Sequence, residues 1–268
     1  MTGEIFRELA AALRDDRPVA LVTVVRGTHV GKKLLLSGGR TWGSLGDEGL
    51  EEAAATDAAT MLELGVTGSR RYGPSGEHRL EDVELFIESF APPPDMYVFG
   101  AIDFSAAVCR IGKLLGYRVT VCDPRAKFAT PERFPEADEI VVKWPHEFLA
   151  EAEVDRRTVI CALTHDPKFD VPLLKAALAT DAAYIGAMGS RRTHAERSKQ
   201  LLDEGLTEDD LARISGPIGL DIGARTPAEV AVSIAAEIIA LRTGARGDRL
   251  ATTDGPVHGP AGTGTPGT

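Results

Sequence analysis

Two adjacent arginines in a glycine-flanked turn carry the strongest chemical signal in the chain. The stretch is Gly186-Ala187-Met188-Gly189-Ser190-Arg191-Arg192-Thr193-His194. Ser190 reads as the N-cap of a helix, which places Arg191 and Arg192 in its first turn. The helix macrodipole disfavours cations there. An anion seated against free backbone N–H groups, with the guanidiniums closing on it, would reconcile the two. The plainer alternative is that Glu196 or Asp181 neutralises the pair. A second glycine-rich stretch runs from Gly216 to Glu229, with further glycines at Gly219 and Gly223. It reads as a ring of free backbone N–H groups and hence as an anion site. Arg225 adds a third positive charge beside it. Its plain alternative is a loop that covers the sheet edge before the last helix.

Three more segments sit where strands are expected to end, the place at which an open parallel sheet binds its ligands. Gly100-Ala101-Ile102-Asp103-Phe104-Ser105 falls where a dinucleotide fold carries its glycine fingerprint, but only the opening glycine is present. Asp103 is expected to cap the following helix; beside a phosphate it would be repulsive. Asp123, followed by Pro124-Arg125, reads equally as a partner for a ribose hydroxyl and as the start of a turn. Thr164-His165-Asp166-Pro167 offers a His-Asp pair for ligand or proton handling, against a simple turn and helix cap.

No nucleophile elbow, Walker loop or HExxH pattern occurs, and no catalytic triad is recognisable. The three cysteines, Cys109, Cys122 and Cys161, are far apart and lack metal-site spacing. Cys122 and Cys161 lie in apolar runs and read as buried thiols. No metal site is expected. A net charge of −10 argues against nucleic acid or an anionic membrane surface as the main partner. No apolar run is long enough to span a bilayer. The segment from Met1 to Leu13 is patterned as a helix and lacks a signal-peptide core, so a cytoplasmic protein is expected.

The elements that must position these residues follow from the pattern. Residues 1–90 read as a small α+β unit. It has a helix from Glu4 to Leu13, a strand from Pro18 to Val25 and a hairpin about Gly38-Gly39. A helix follows from Asp47 to Leu64, then a strand around Val83–Glu88. Residues 91–95, with three consecutive prolines, read as a stiff spacer. Residues 96–244 alternate strand and helix. Strands are expected at Met96–Ala101, Tyr117–Asp123, Glu139–Trp144, Thr158–His165 and Ala183–Met188. Helices are expected at Phe104–Leu115, Pro172–Thr180 and Arg191–Glu204, and behind the cap Thr226-Pro227. That alternation predicts an α/β fold with a Rossmann-like, doubly wound parallel sheet. Residues 245–268, rich in Gly, Pro and Thr, read as a disordered tail.

Three of these segments also carry a resemblance. LTHDPKFD (Leu163 to Asp170), YIGAMGSRRTHAER (Tyr184 to Arg197) and GPIGLDIGARTPAEVAVSIAAEI (Gly216 to Ile238) resemble the C-terminal domain of the XdhC/CoxI family. With Phe134 to Pro145 the likeness spans about residues 96–243, and a looser one covers Leu21 to Glu51. Members are accessory proteins that mature molybdenum hydroxylases such as xanthine dehydrogenase and carbon monoxide dehydrogenase. The resemblance implies a non-enzymatic chaperone that binds the molybdenum cofactor (molybdopterin), an anionic pterin phosphate, and hands it to an apo molybdenum hydroxylase. A cysteine desulfurase partners some members, and a homodimer is left open. A crevice of Arg191, Arg192 and Arg225 around glycine-rich backbone suits that cargo. Two departures stand out. Relatives often have a GxGH-like first turn where this chain has Gly100-Ala101-Ile102-Asp103, a variant similar to the CoxF-like branch. They also often have a cysteine in the segment that here reads Gly43-Ser44-Leu45-Gly46-Asp47-Glu48-Gly49, which speaks against thiolate ligation of molybdenum from it. The rival is an NAD(P)-dependent oxidoreductase, with a nucleotide or dinucleotide as its ligand; the incomplete glycine fingerprint weighs against it.

Overall fold

The structure is a computed structural model that describes residues 2–77, 82–164 and 166–254. The described residues form two compact units, one running to Pro92 and including Asp254, the other from Pro93 to Thr253.

The first unit contains helix α1 (Thr2–Arg14), strands β1 (Val19–Arg26), β2 (Lys33–Ser37) and β3 (Arg40–Ser44), helix α2 (Glu48–Glu63), and strands β4 (Gly68–Tyr72) and β5 (Val83–Phe90). Its sheet runs β3-β2-β1-β5-β4, every pairing antiparallel. The central strand β1 is apolar on both faces because each face is covered. Ala20, Val22 and Val24 join Leu50, Ala54, Ala58 and Met61 of α2 in one core. Val19 and Leu21 join Ile5 and Ala12 of α1 in another. Gly38 and Gly39, both at positive φ (+54° and +73°), close the β2–β3 hairpin as expected. Strand β4 was not anticipated. Its Arg70-Arg71 pair hides any apolar alternation, and such charge is what an edge strand tolerates.

The second unit contains β6 (Asp95–Phe99), α3 (Asp103–Leu114), β7 (Arg118–Cys122), β8 (Glu139–Val141), α4 (Pro145–Glu151), β9 (Val159–Ala162), α5 (Pro167–Leu178), β10 (Tyr184–Ala187), α6 (Arg191–Asp203), α7 (Glu208–Leu211), β11 (Ile214–Ser215), α8 (Pro227–Thr243) and a 3₁₀ turn at Leu250–Thr252. Its sheet runs β11-β10-β9-β6-β7-β8, all parallel. This is the doubly wound order, with the winding direction reversing between β6 and β9. Alternation along each strand feeds two cores. Met96, Val98, Val119, Val121 and Cys161 face α3 and α8. Tyr97, Phe99, Ile160, Ala162 and Ile185 face α4, α5, α6 and α7.

Several boundaries differ from expectation. Asp103 is not an N-cap. Ile102 takes that position without a side-chain bond, and Asp103 is the first helical residue. Asp95 belongs to β6 rather than to the spacer, and its carboxylate holds Arg118 at 2.6 Å. The strand expected at Glu139–Trp144 stops at Val141, because Pro145 opens α4 and keeps Trp144 extended as its N-cap. Helix α5 begins at Pro167, five residues before Pro172. Asp166 caps it by accepting from the Lys168 N–H at 3.1 Å, and Pro172 sits inside the helix. Helices α4 and α7 and strand β11 are short enough to leave no periodicity. His165 and residues 255–268 of the expected tail lie outside the described residues.

Candidate functional site

The candidate residues gather beyond the carboxyl ends of β6, β7, β9 and β10. The first turn is closed around itself. Gly100, at φ +108°, lets the end of β6 approach β9, where a Cβ would come 2.9 Å from Thr164 Cγ2. The Thr164 hydroxyl is buried and has no partner among the described residues. The Ala101 N–H is the amide that a dinucleotide fold would turn toward a phosphate, and here it donates to Asp123 Oδ2 at 2.7 Å. Asp123 is fully buried and also accepts from the Arg125 N–H at 2.9 Å and from its guanidinium at 2.8 and 2.7 Å. Burial alone would raise this carboxyl; the Arg125 bonds and the two backbone N–H groups hold it below the usual range. Both oxygens of the ribose candidate are therefore occupied by its own chain. Asp103 projects into solvent and meets Arg133 Nη2 at 3.2 Å.

At the end of β10 the arginine turn is open. Ser190 caps α6 by accepting from the Thr193 N–H at 3.1 Å. The first-turn amides of Arg191 and Arg192 have no intrahelical acceptor, as in any helix start. Both side chains are exposed. Arg192 lies 3.7 Å from Glu196 with both groups mostly in solvent, an ion pair worth little. The opposition between these cations and the helix dipole thus stays largely uncompensated among the described residues.

Sequence reasoning missed what lies beneath that turn. Arg197 is 5% exposed, and its Nη2 donates to Asp170 Oδ2 at 2.7 Å and to the Met188 carbonyl at 2.9 Å. This buried pair ties α5 to α6 and to the end of β10. Asp170 Oδ1 and Arg197 Nη1 find no partner among the described residues. Burial pushes the Asp170 carboxyl up to about 6, against the pull of Arg197. The available signal was spacing. Arg197 stands four residues before Leu201, the other buried residue of α6, and Asp170 lies between the apolar Phe169 and Val171. His194 packs over the Cα of Gly216, and burial together with the Arg197 charge lowers its pKa.

The late glycine-rich loop is not a ring of free N–H groups. Its Ile218 N–H donates to the Ala187 carbonyl at 3.1 Å and its Leu220 N–H to the Ser233 carbonyl at 3.3 Å. The Gly219 N–H donates to Glu237 Oε2 at 2.8 Å, and the same oxygen accepts from the Tyr184 hydroxyl. Arg225 and Thr226 give their N–H groups to Glu229 Oε2, completing the expected capping box of α8. Gly219, at φ +98°, allows the loop to press on α8, since a Cβ there would collide with Ser233 Oγ. Gly186 serves the same end, with a Cβ falling 2.5 Å from Ile218 Cδ1. The polar stripe Glu229, Ser233 and Glu237 is what fastens the loop. Gly223 differs: a Cβ there would meet no other residue within 4 Å among those described, and it borders a shallow cleft of about 330 Å³ with Ile222, Ala224, Ala228, Glu229 and Val232.

The structure therefore brings Gly189, Ser190, Arg191 and Arg192 together with Gly216 through His194, and Gly100 together with Thr164 and Asp123. All three cysteines are buried; burial pushes the Cys109 and Cys122 thiols up to about 12 and Cys161 higher still. No group of metal-ligating side chains occurs among the described residues. Nor is any helix among them long and apolar enough to cross a membrane.

Comparison with known proteins adds a lineage to this geometry. A model of the XdhC Rossmann domain matches residues 96–238. A model of the XdhC and CoxI family matches residues 12–73. A probable xanthine dehydrogenase subunit of Bacillus subtilis is 30% identical over 165 residues, 62% of this chain and 48% of that protein. The "Uncharacterized protein YqeB" of Escherichia coli is 26% identical over 91% of this chain and 47% of its own length. "Molybdenum cofactor insertion chaperone PaoD" of Escherichia coli is 34% identical over 93 residues, 35% of this chain and 29% of that protein. The chain thus spans half the length or less of these curated relatives. A solved structure described as a xanthine dehydrogenase from Bacillus halodurans superposes with a TM-score of 0.53 at 20% identity, over 92% of this chain and 97% of that one, and shows the shared fold.

Proposed function

The chain belongs to the XdhC and CoxI family, and from that premise we propose that it is a maturation factor. In this reading it holds the molybdenum cofactor and passes it to a molybdenum hydroxylase of the xanthine dehydrogenase or carbon monoxide dehydrogenase type. It is a carrier whose affinity comes from charge and backbone donors, with no chemical step of its own. One relative is named as a molybdenum cofactor insertion chaperone, which supports the class of role.

The observation that carries the reading is the Gly189–Arg192 turn. On a protein of net charge −10, two exposed arginines open a helix against its dipole with almost no compensating carboxylate. A phosphate-bearing guest seated on the first-turn amides turns that opposition into attraction, since dipole and guanidiniums then act on the same anion. The buried Arg197–Asp170 pair holds the turn in place from below. Gly216, Gly219, Gly223 and Arg225 contribute through the packed late loop: Gly216 backs His194, Gly219 fixes the loop on α8, and Gly223 and Arg225 lie on its outer side. Gly100 and Thr164 are the proposed far side of the crevice, whereas Asp123 and Asp103 are engaged by Arg125 and Arg133.

The sheet order also suits a nicotinamide oxidoreductase. Against that, the Ala101 N–H already donates to the Asp123 carboxylate, so a pyrophosphate at the first turn would have to displace that bond and meet a buried carboxylate.

The test is maturation itself. A xanthine dehydrogenase-type hydroxylase produced with the full chain should carry more molybdenum and turn over faster than the same enzyme produced without it. Equal metal content and activity in both preparations would overturn the carrier reading.

A further inference from the structure

A second, independent site lies beyond β7. Arg125 is held flat by Asp123, with Nε on Oδ1 at 2.8 Å and Nη2 on Oδ2 at 2.7 Å. A turn follows, in which the Phe128 N–H donates to the Arg125 carbonyl at 2.9 Å. That turn brings the Phe128 ring under the guanidinium, 4.8 Å from Cζ to the ring centroid. Arg133 completes the cluster. Its Nη1 donates to the carbonyls of Ala101 at 3.0 Å and Phe128 at 3.2 Å, and its Cζ stands 5.7 Å from the Phe128 centroid.

This rigidity is uncommon for surface arginines, which ordinarily keep their rotamer freedom. The Arg125 side chain is nevertheless 46% exposed, and Asp123 takes its Nε and Nη2. Phe128 is 39% exposed, too open for a core aromatic. The result is a fixed, cationic, planar surface backed by an aromatic ring, at the sheet edge where this fold takes ligands. Carboxylates face it from two sides: Asp103, bonded to Arg133, and Asp166 at the start of α5, close enough to help hold Arg125 protonated. They disfavour a polyphosphate and leave a flat guest with a single phosphate group as the better fit.

We propose that Arg125 and Phe128 form a stacking shelf for the base of a mononucleotide, whose phosphate is met by Arg133. A guanidinium plane stacks a heterocyclic base as an aromatic ring does, while cation and phosphate attract. The shelf follows β7 and the Ser190 turn follows β10, three strand spacings away or about 14 Å along the sheet. Loss of either site therefore leaves the other to be measured.

Calorimetric titration of the full chain with AMP, GMP and CMP, and separately with inorganic phosphate, tests the shelf. Nucleotides should bind more tightly than phosphate alone. Arg125→Lys keeps a cation beside buried Asp123 but loses the plane. It should weaken nucleotide binding about tenfold or more, within the range of one lost base stack, and leave phosphate binding unchanged. Phe128→Leu should weaken it in the same sense and Phe128→Tyr should restore it, with thermal melting to confirm that all three variants fold. Nucleotide affinity equal to that of phosphate, or undiminished in both Arg125→Lys and Phe128→Leu, would overturn the proposal.

Discussion

Between Gly216 and Thr226 the backbone amides at 218, 219, 220, 222, 225 and 226 all donate to acceptors within the second unit. Between Gly189 and Arg192, at the same edge of the same sheet, the helix opens with exposed cations, and the Ser190 cap takes the Thr193 N–H rather than those of Arg191 and Arg192. Both turns are glycine-rich and both precede a helix capped by a hydroxyl residue. They differ in what the glycines are for. Gly219 removes a side chain so that the loop can lie on Ser233, which is packing. Gly189, at φ +148°, lets the chain turn closely over Thr193 into a helix start whose arginines meet one exposed carboxylate, Glu196, among the described residues. Glycine content does not separate these roles, whereas the destination of each N–H does.

The comparison can be broken first at Gly219. Gly219→Val forces a branched side chain into positive φ and against Ser233 Oγ. It should cost on the order of 4 kcal/mol, seen as a large drop in unfolding temperature, rather than a selective loss of binding. A variant with wild-type melting would show that the loop does not depend on this contact. Gly223→Ala, in the same loop at φ +75° but with open space around it, should cost only about 1 kcal/mol, the left-handed backbone penalty alone.

The arginine turn is held differently, by the buried Arg197–Asp170 pair, and pH should expose that. Asp170 has a folded value of about 6 against 3.8 for an ordinary aspartate. The folded chain therefore binds this proton more tightly than the unfolded chain does, and stability declines as pH rises between those values. Asp170→Asn removes the proton. The wild-type advantage over the variant should shrink from about pH 4 to about pH 6 and then level off. His194, lowered by burial and Arg197, is common to both proteins. Melting curves whose difference stays flat across that range would contradict the assignment.

The doubly wound sheet was legible because strands such as Met96–Phe99 and Val159–Ala162 are continuously apolar and separated by helical stretches, a pattern few other architectures produce. The capping box at Thr226 and Glu229 was legible too, since it is written within four residues. What escaped depended on contacts between distant segments. Nothing near Asp123 announces that its carboxylate will reach the Ala101 N–H, 22 residues earlier in the chain. Arg197 is one more cation in a helix that opens with Arg191 and Arg192, yet the fold places it inside and the others outside. Arg133 and Phe128 lie in a segment without periodicity, and only the closing of β6 against β7 brings them to the first turn. The Glu139–Trp144 strand was over-read because a residue before proline is extended whether or not it pairs.

The smallest structural effect and the sharpest functional one meet in the same variant. Arg191→Ala combined with Arg192→Ala removes two exposed side chains and should move stability by no more than about 0.5 kcal/mol. Equilibrium binding of molybdopterin to the full chain, wild type against this double variant, tests the central claim most directly. The account predicts at least a tenfold (~1.4 kcal/mol) loss of affinity with an unchanged melting temperature. Equal affinity in the two folded proteins would contradict it.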